Sequence, residues 1–391
     1  MIQSITFWLV LFGSVAVFWQ LPKQFRYGFI ALVSYAYLLT LAPVTVTLLI
    51  AWVLLFFYVA PHSVAATGRK GWVLPGLVGA ALSYLIYAKY LPGIIDTFRD
   101  GVQDHKILVP LGISYFSFKL IHYAVEVTRG NIKERSLSKF FAYIFLFPIF
   151  TAGPIERYDH FLENLETNWQ RSTMVEGIMR IAYGLIKILV IAKFFQYEIY
   201  GLNNPTISGV IHETPTLHVW CFVILSYLTA YLDFSAYSDI AIGASRLFGI
   251  RIMENFRFPI LARNISDFWN RWHMTLARWC QSYVYMPVIA YTRNPYAAVY
   301  ATFLAMGLWH GATAPWIMWG LYHATGVAVF TTLSRYRRKL GVDHAIYRYS
   351  RPIGVPLTFL FVSGSYAFST SESGWTSILI LLKLLGISAE F

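Results

Sequence analysis

The chain has 391 residues, 57% hydrophobic and 18% aromatic, with only 13% charged, against about 25% charged in an average soluble domain. Lysine and arginine outnumber the acids 31 to 19, for a formal net charge of +12. That balance excludes an ordinary soluble domain. With the basic residues placed between apolar runs, it also argues against a nucleic-acid partner.

A helix that spans a bilayer needs roughly 20 apolar residues. Apolar runs fall near 4–20, 27–42, 44–60, 72–94, 107–127, 138–152, 176–200, 216–243, 296–311, 315–333, 352–369 and 374–387. They predict an all-α, polytopic integral membrane protein of about eleven helices in one membrane-embedded domain, residues 1–391. Several runs contain Gly, Pro or charge, so some are read as re-entrant or tilted. The first run lacks a basic n-region and a small-x-small cleavage site, and reads as a retained span. Basic loops at 21–26 (Lys23, Arg26), 61–71 (Arg69, Lys70), 129–139 (Arg129, Lys133, Arg135, Lys139) and 334–351 mark the cytoplasmic side. The densest of them carries Arg335, Arg337, Arg338, Lys339, Arg348 and Arg351 against Asp343, and would attract anionic membrane lipid. The stretches 95–106 and 154–175 carry more acids than bases, as expected outside. Cys221 and Cys280 lie in or beside apolar segments and form no disulfide or thiolate-metal pattern.

In chain order, "LFPIFTAGPIERY" ends a run with Gly153 and Pro154, and its Glu156 and Arg157 read as a solvated turn. Asp233 and Asp239 enter an apolar helix, while Lys187 and Lys193 stand in the run 176–200. Buried pairing between those helices is the economical expectation, because unpaired charge in a bilayer is costly. Positions 244–290 hold six arginines, two acids and many aromatics, and read as an amphipathic or partly embedded segment. Arg271, Thr275 and Arg278 fall on one face, Phe268, Trp272 and Trp279 on another, with Asn264 and Ser266 as capping residues.

Of the ten histidines, His62, His105, His160, His212, His218 and His344 lie in polar loops or at span edges and read as solvated. His122 and His323 sit in apolar helices and suit hydrogen bonds to a neighbouring helix. In "MGLWHGATAPW", His310 stands inside an apolar helix, where an ionisable group is expensive and tends to face a cavity. Gly307 and Gly311 flank it at a spacing that lets a partner helix or a substrate approach closely. Thr313, Ala314 and Pro315 then break the helix. A histidine so placed can act as a general base on a hydroxyl, or be a structural residue satisfied by backbone or tyrosine. His273, beside Asn270, Arg271 and Arg278, reads as an interfacial residue or as a second active-site group that orients substrate or polarises an acyl oxygen. The arginines offer forks for phosphate. Two histidines 37 residues apart without a third ligand argue against a metal.

Five stretches in order, "VPLGISYFSFKLIHY" (109–123), "AGPIERY" (152–158), "DFSAYSDIAIGASRLFGI" (233–250), "ENFRFPILARNISDFWNRWHMTL" (254–276) and "GLWHGATAPWIMWGLYH" (307–323), resemble the membrane-bound O-acyltransferase family. They are most similar to its bacterial branch of alginate O-acetyltransferases and teichoic acid D-alanyltransferases, with the motif-bearing core at about 107–330. The resemblance implies a ring of helices around a central tunnel, with catalytic residues matching His310 and His273. It implies substrate contacts from Trp309, Asn270, Arg271 and Arg278, no bound cofactor, and acetyl-CoA or another acyl thioester as donor. The acyl group would go to a polysaccharide, or to an extracellular partner protein that modifies one, at the bacterial inner membrane. D-alanyl transfer from a carrier protein to teichoic acid is the alternative within the family. A transporter is the alternative outside it, although no internal repeat supports one.

Overall fold

The computed structural model describes residues 4–64, 71–90, 112–166, 168–202, 208–339 and 344–387, together with Ile2, Asn204, Thr206 and Gly341. Arg69, Lys70, Asp343, His105 and the predicted outer loop 95–106 lie outside the described residues, as do the side chains of His344, Arg348 and Arg351. The described chain is helical, with one isolated antiparallel bridge between Leu165 and Ile250.

Each predicted apolar run contains a helix. They are α1 (Ile5–Gln20), α2 (Lys23–Leu41), α3 (Pro43–Val59), α4 (Val73–Lys89), α5 (Ile113–Thr128), α6 (Leu137–Phe145), α8 (Arg171–Ile186) with α9 (Lys193–Tyr200), α11 (Thr216–Leu247), α15 (Pro295–His310), α16 (Ala314–Lys339), α17 (His344–Gly364) and α19 (Gly374–Leu384). Short helices fill the connections: α7 (Tyr158–Glu163), α10 (Ser208–Ile211), α12 (Ile265–Trp269), α13 (Met274–Cys280), α14 (Met286–Thr292) and α18 (Tyr366–Ser369). Among the described residues, two segments, Pro43–Ser63 and Thr216–Leu247, are long and apolar enough to cross a membrane, and five more apolar helices are shorter. Many large apolar side chains face outward, among them Leu9, Ile86, Val190 and Leu357. An exposed apolar surface of this kind is what contact with lipid requires.

Contacts cluster into two compact units, residues 1–184 with 237–254, and residues 185–236 with 255–391. The first is built around aromatic packing between α5, α6 and α7, where Tyr123 meets Phe140 at 4.2 Å and Tyr143 meets Tyr158 at 5.2 Å. Its charges are stapled inside the fold. Arg246 pairs with Glu166 at 2.6 Å and Glu176 at 3.0 Å. Asp239 pairs with Arg180 at 2.6 Å, and Asp233 is exposed. Arg180, about two helical turns ahead of Lys187, was not foreseen as a partner: its Nε donates to Asp239 and its NH2 to Glu254 at 2.5 Å, while Lys193 faces outward.

The turn at Gly153 is not solvated at Glu156. That carboxylate is buried, accepting from the Met253 backbone N–H at 2.7 Å and from His160 Nδ1 at 2.6 Å. His160, expected to be solvated, thus gains a partner, and the buried carboxylate raises its proton affinity above the ordinary histidine value. Arg157 turns instead to Asp159, at 3.0 Å. Nearby, His122 does bond a neighbouring element, with its Nε2 accepting from the Tyr158 N–H at 3.0 Å.

In the second unit, the segment read as amphipathic is broken into pieces. Left-handed backbone at Phe258 and His273 interrupts it, so Arg271 and Arg278 do not share one helix. Asn264 caps α12 as predicted, its Oδ1 accepting from Asp267 N at 2.8 Å.

Candidate active site

The site lies within the second unit and begins at the α15–α16 hairpin. Asn294 starts α15 by accepting from Tyr296 N at 2.9 Å and Ala297 N at 3.2 Å, with Pro295 in the first turn. His310 is the last residue of that helix. Gly311 leaves in an extended conformation, and α16 begins at Ala314, with the break at the predicted place. The close approach foreseen for the flanking glycines is made by α16. A Cβ on Gly307 would lie 2.4 Å from the Trp316 carbonyl oxygen, and one on Gly311 would lie 2.5 Å from Trp316 Cδ1. Trp316 can therefore slide under the histidine. The His310 ring stacks on it at 4.6 Å, 15° from parallel, and meets the edges of Trp309 at 4.7 Å and Trp319 at 5.2 Å. His310 itself is only half-buried, so a reactant can reach it.

His273 ends the turn between α12 and α13. Its φ is +42°, a conformation few non-glycine residues adopt and one that costs about 1–3 kcal/mol unless its surroundings hold it. The hold comes from the extended stretch at residues 255–257, on the far side of α12 in the sequence. Met274 N donates to Asn255 O at 2.9 Å, and Arg257 N donates to Arg271 O at 2.9 Å. Side chains continue the clamp. Asn255 Oδ1 accepts from Thr275 Oγ1 at 2.9 Å, from Thr275 N at 3.4 Å and from His273 Nδ1 at 3.0 Å. His273 is 3% exposed, Phe234 packs edge-on against its ring at 4.7 Å, and Trp309 lies 6.2 Å away. Burial first, and then neighbouring His310, push its proton affinity down to about 3.

His273 and His310, 37 residues apart in sequence, thus meet in one aromatic cluster through Trp309. His323 adds a third, buried imidazole against Trp319 at 4.7 Å and Trp269 at 5.2 Å. Beside the cluster is a cavity of about 230 Å³, lined by Ser266, Trp269, Asn270, Arg278, Gln281 and Tyr285, with Met274 and Met306 also on its wall. Two of the residues implied as substrate contacts, Asn270 and Arg278, are on this cavity. Arg271 is not: its Nε donates to Asp267 at 2.8 Å and its NH1 to the Arg257 carbonyl at 3.2 Å. Sequence reasoning missed Asn255, Phe234, Trp316 and Trp319. The signal for Asn255 was present, an amide inside the aromatic stretch "ENFRF", but nothing local tied it to a histidine 18 residues later.

The chain matches the membrane-bound O-acyltransferase family over residues 99–371. It is 32% identical over 347 residues to a Pseudomonas putida protein named "Probable alginate O-acetylase AlgI", a match covering 83% of this chain and 68% of that one. It is 30% identical over 318 residues to the teichoic acid D-alanyltransferase of Bacillus subtilis, covering 77% and 78%. It is 28% identical over 362 residues to the peptidoglycan O-acetyltransferase of Helicobacter pylori, covering 82% and 66%. Two of these three curated relatives are thus matched over only about two thirds of their length. A family match across most of the chain sets the transporter reading aside: the protein is an acyltransferase, and it belongs to the membrane-bound O-acyltransferase family.

Proposed function

We propose that this protein moves an acyl group, acetyl by preference, from a cytoplasmic thioester such as acetyl-CoA to a hydroxyl. That hydroxyl belongs to an extracytoplasmic polysaccharide or to a partner protein that passes the acyl group on, at the bacterial inner membrane. His310 is the general base. It takes the proton of the hydroxyl as the oxygen attacks the thioester carbonyl, and the tetrahedral intermediate collapses with loss of thiolate. The proton on His310 then returns to the sulfur, so the histidine is regenerated. His273 holds a reactant in place, and Arg278, on the adjoining cavity, meets the phosphates of the donor. The observation that carries this reading is a half-exposed histidine at a helix break, stacked on tryptophan and joined in one cluster with a second, buried histidine.

The test is acyl transfer from labelled acetyl-CoA in membranes carrying wild type or His310→Ala at matched expression. A loss of about 10²–10⁴-fold is expected, the range of general-base catalysis. Wild-type transfer by the variant would remove His310 from the mechanism. D-alanyl transfer from a carrier protein is the second reading, favoured by the larger share of the Bacillus subtilis D-alanyltransferase that this chain covers, 78%. Supplying a D-alanyl-loaded carrier in place of acetyl-CoA separates the two.

A further inference from the structure

We infer that Asn255 is a positioning residue that locks His273 with its proton on Nδ1, so that His273 serves the reaction as a hydrogen-bond acceptor through Nε2 and not as a donor to the oxyanion. The proposal rests on His273 belonging to the active site, and it decides between the two roles open to that residue.

The amide of Asn255 can face either way only if its neighbours allow it. The Thr275 backbone N–H is a donor and nothing else, and it points at the atom that also receives Thr275 Oγ1. That atom must be the carbonyl oxygen, which cannot donate. The nitrogen of His273 facing it at 3.0 Å is therefore the protonated one, Nδ1–H. A neutral imidazole carries one proton, so Nε2 is left with a lone pair. Nε2 is buried and has no hydrogen-bond partner among the described residues. A buried polar atom without a partner costs about 1–3 kcal/mol, and here it comes with left-handed backbone at the same residue. Unmet acceptor capacity and a strained backbone on one histidine are what a binding position retains for a reactant.

A bare lone pair on Nε2 cannot stabilise a developing negative charge. It can accept an O–H or N–H of a reactant and hold that reactant for His310. Asn255 is suited to fixing this state because it is fully buried and its own backbone carbonyl accepts Met274 N. Phe234 and Trp309, which pack against the His273 ring, bring no charge, and His310 is the titratable group that acts on it.

The test combines a spectroscopic and a kinetic readout on the full chain in lipid. In ¹⁵N-histidine-labelled protein, with His273 assigned by comparison with His273→Gln, the Nδ1 signal should be that of a protonated nitrogen and the Nε2 signal that of a bare one. An Nε2–H form overturns the proposal. Asn255→Leu should lower kcat at least about tenfold, the equivalent of one hydrogen bond in the transition state, with KM for acetyl-CoA changed less than twofold. Asn255→Asp keeps the acceptor and should restore most of kcat, with the acid limb of the pH profile moved to higher pH because a carboxylate stabilises the imidazolium. Unchanged kcat in a folded Asn255→Leu, or no rescue by a folded Asn255→Asp, also refutes it. If Asn255→Leu does not fold, the wild-type spectrum decides alone. An active His310→Ala would sink the base assignment while leaving the spectrum of His273 to be judged separately.

Discussion

At the scale of single residues, this protein places ionisable groups where they are costly and then satisfies most of them. Lys119 is buried and donates to the Tyr143 carbonyl at 2.9 Å, Glu156 accepts from the Met253 amide and from His160, and Asp239 accepts from Arg180. His273 and His323 differ in each keeping one ring nitrogen without a partner among the described residues. The proton affinity of His273 has a consequence for stability. The folded chain binds a proton there only near pH 3, whereas the unfolded chain binds one below the ordinary value of 6.5. Stability from this group is therefore fully present above pH 6.5 and is lost as pH falls from 6.5 toward 3, by at most about 1.4 kcal/mol per pH unit. His160 has the opposite sign, because Glu156 raises its proton affinity, and its contribution is lost as pH rises through its folded value. Melting temperatures in detergent across this range should show the acid-side loss in wild type and a shallower one in His273→Gln; parallel curves would contradict it. In the same assay of acyl transfer, His273→Ala should lose part of the activity, and full activity would return it to a structural role.

At the scale of elements, the hairpin of α15 and α16 sets the reaction site. The helix must stop at His310, and Gly311 must leave room for Trp316, or the imidazole loses the surface on which it stacks. Gly311→Ala should force Trp316 to move and cost about 1–3 kcal/mol of packing, read as a fall in kcat with intact expression. The turn after Gly153 has a similar structural weight in the other unit. Glu156→Ala leaves the Met253 amide unpaired and should lower stability by about 1–3 kcal/mol, measured by thermal unfolding, with wild-type stability as the contrary result. Arg278, on the wall of the 230 Å³ cavity, is expected to touch the donor and not the reacting atoms. Arg278→Ala should raise KM for acetyl-CoA about three- to tenfold with kcat little changed, the signature of lost uniform binding; a fall in kcat alone would move Arg278 out of that role.

At the scale of the whole molecule, helical content, the membrane setting and the family were legible in the sequence. Apolar runs separated by basic loops specify helices through burial and backbone satisfaction alone, which are local properties of the chain. The helix break after His310 was equally legible, since Pro315 and the glycines impose it wherever they occur. What lies between elements was not. Arg180 was missed as a partner of Asp239 because it and the lysines 187 and 193 are equivalent in sequence terms, and only packing shows which cation reaches the acid. Glu156 read as solvated because a Gly-Pro turn is polar on paper, yet the fold buries it. The segment from 244 to 290 read as amphipathic because helical periodicity is counted without knowing that His273 adopts φ +42°. The sequence by itself determined that two histidines stood in unusual surroundings. Tertiary structure decided that they belong to one aromatic cluster and that Asn255 holds one of them, because a hydrogen bond across 18 residues and a ring contact across 36 depend on where the backbone returns and leave no periodic trace in the chain.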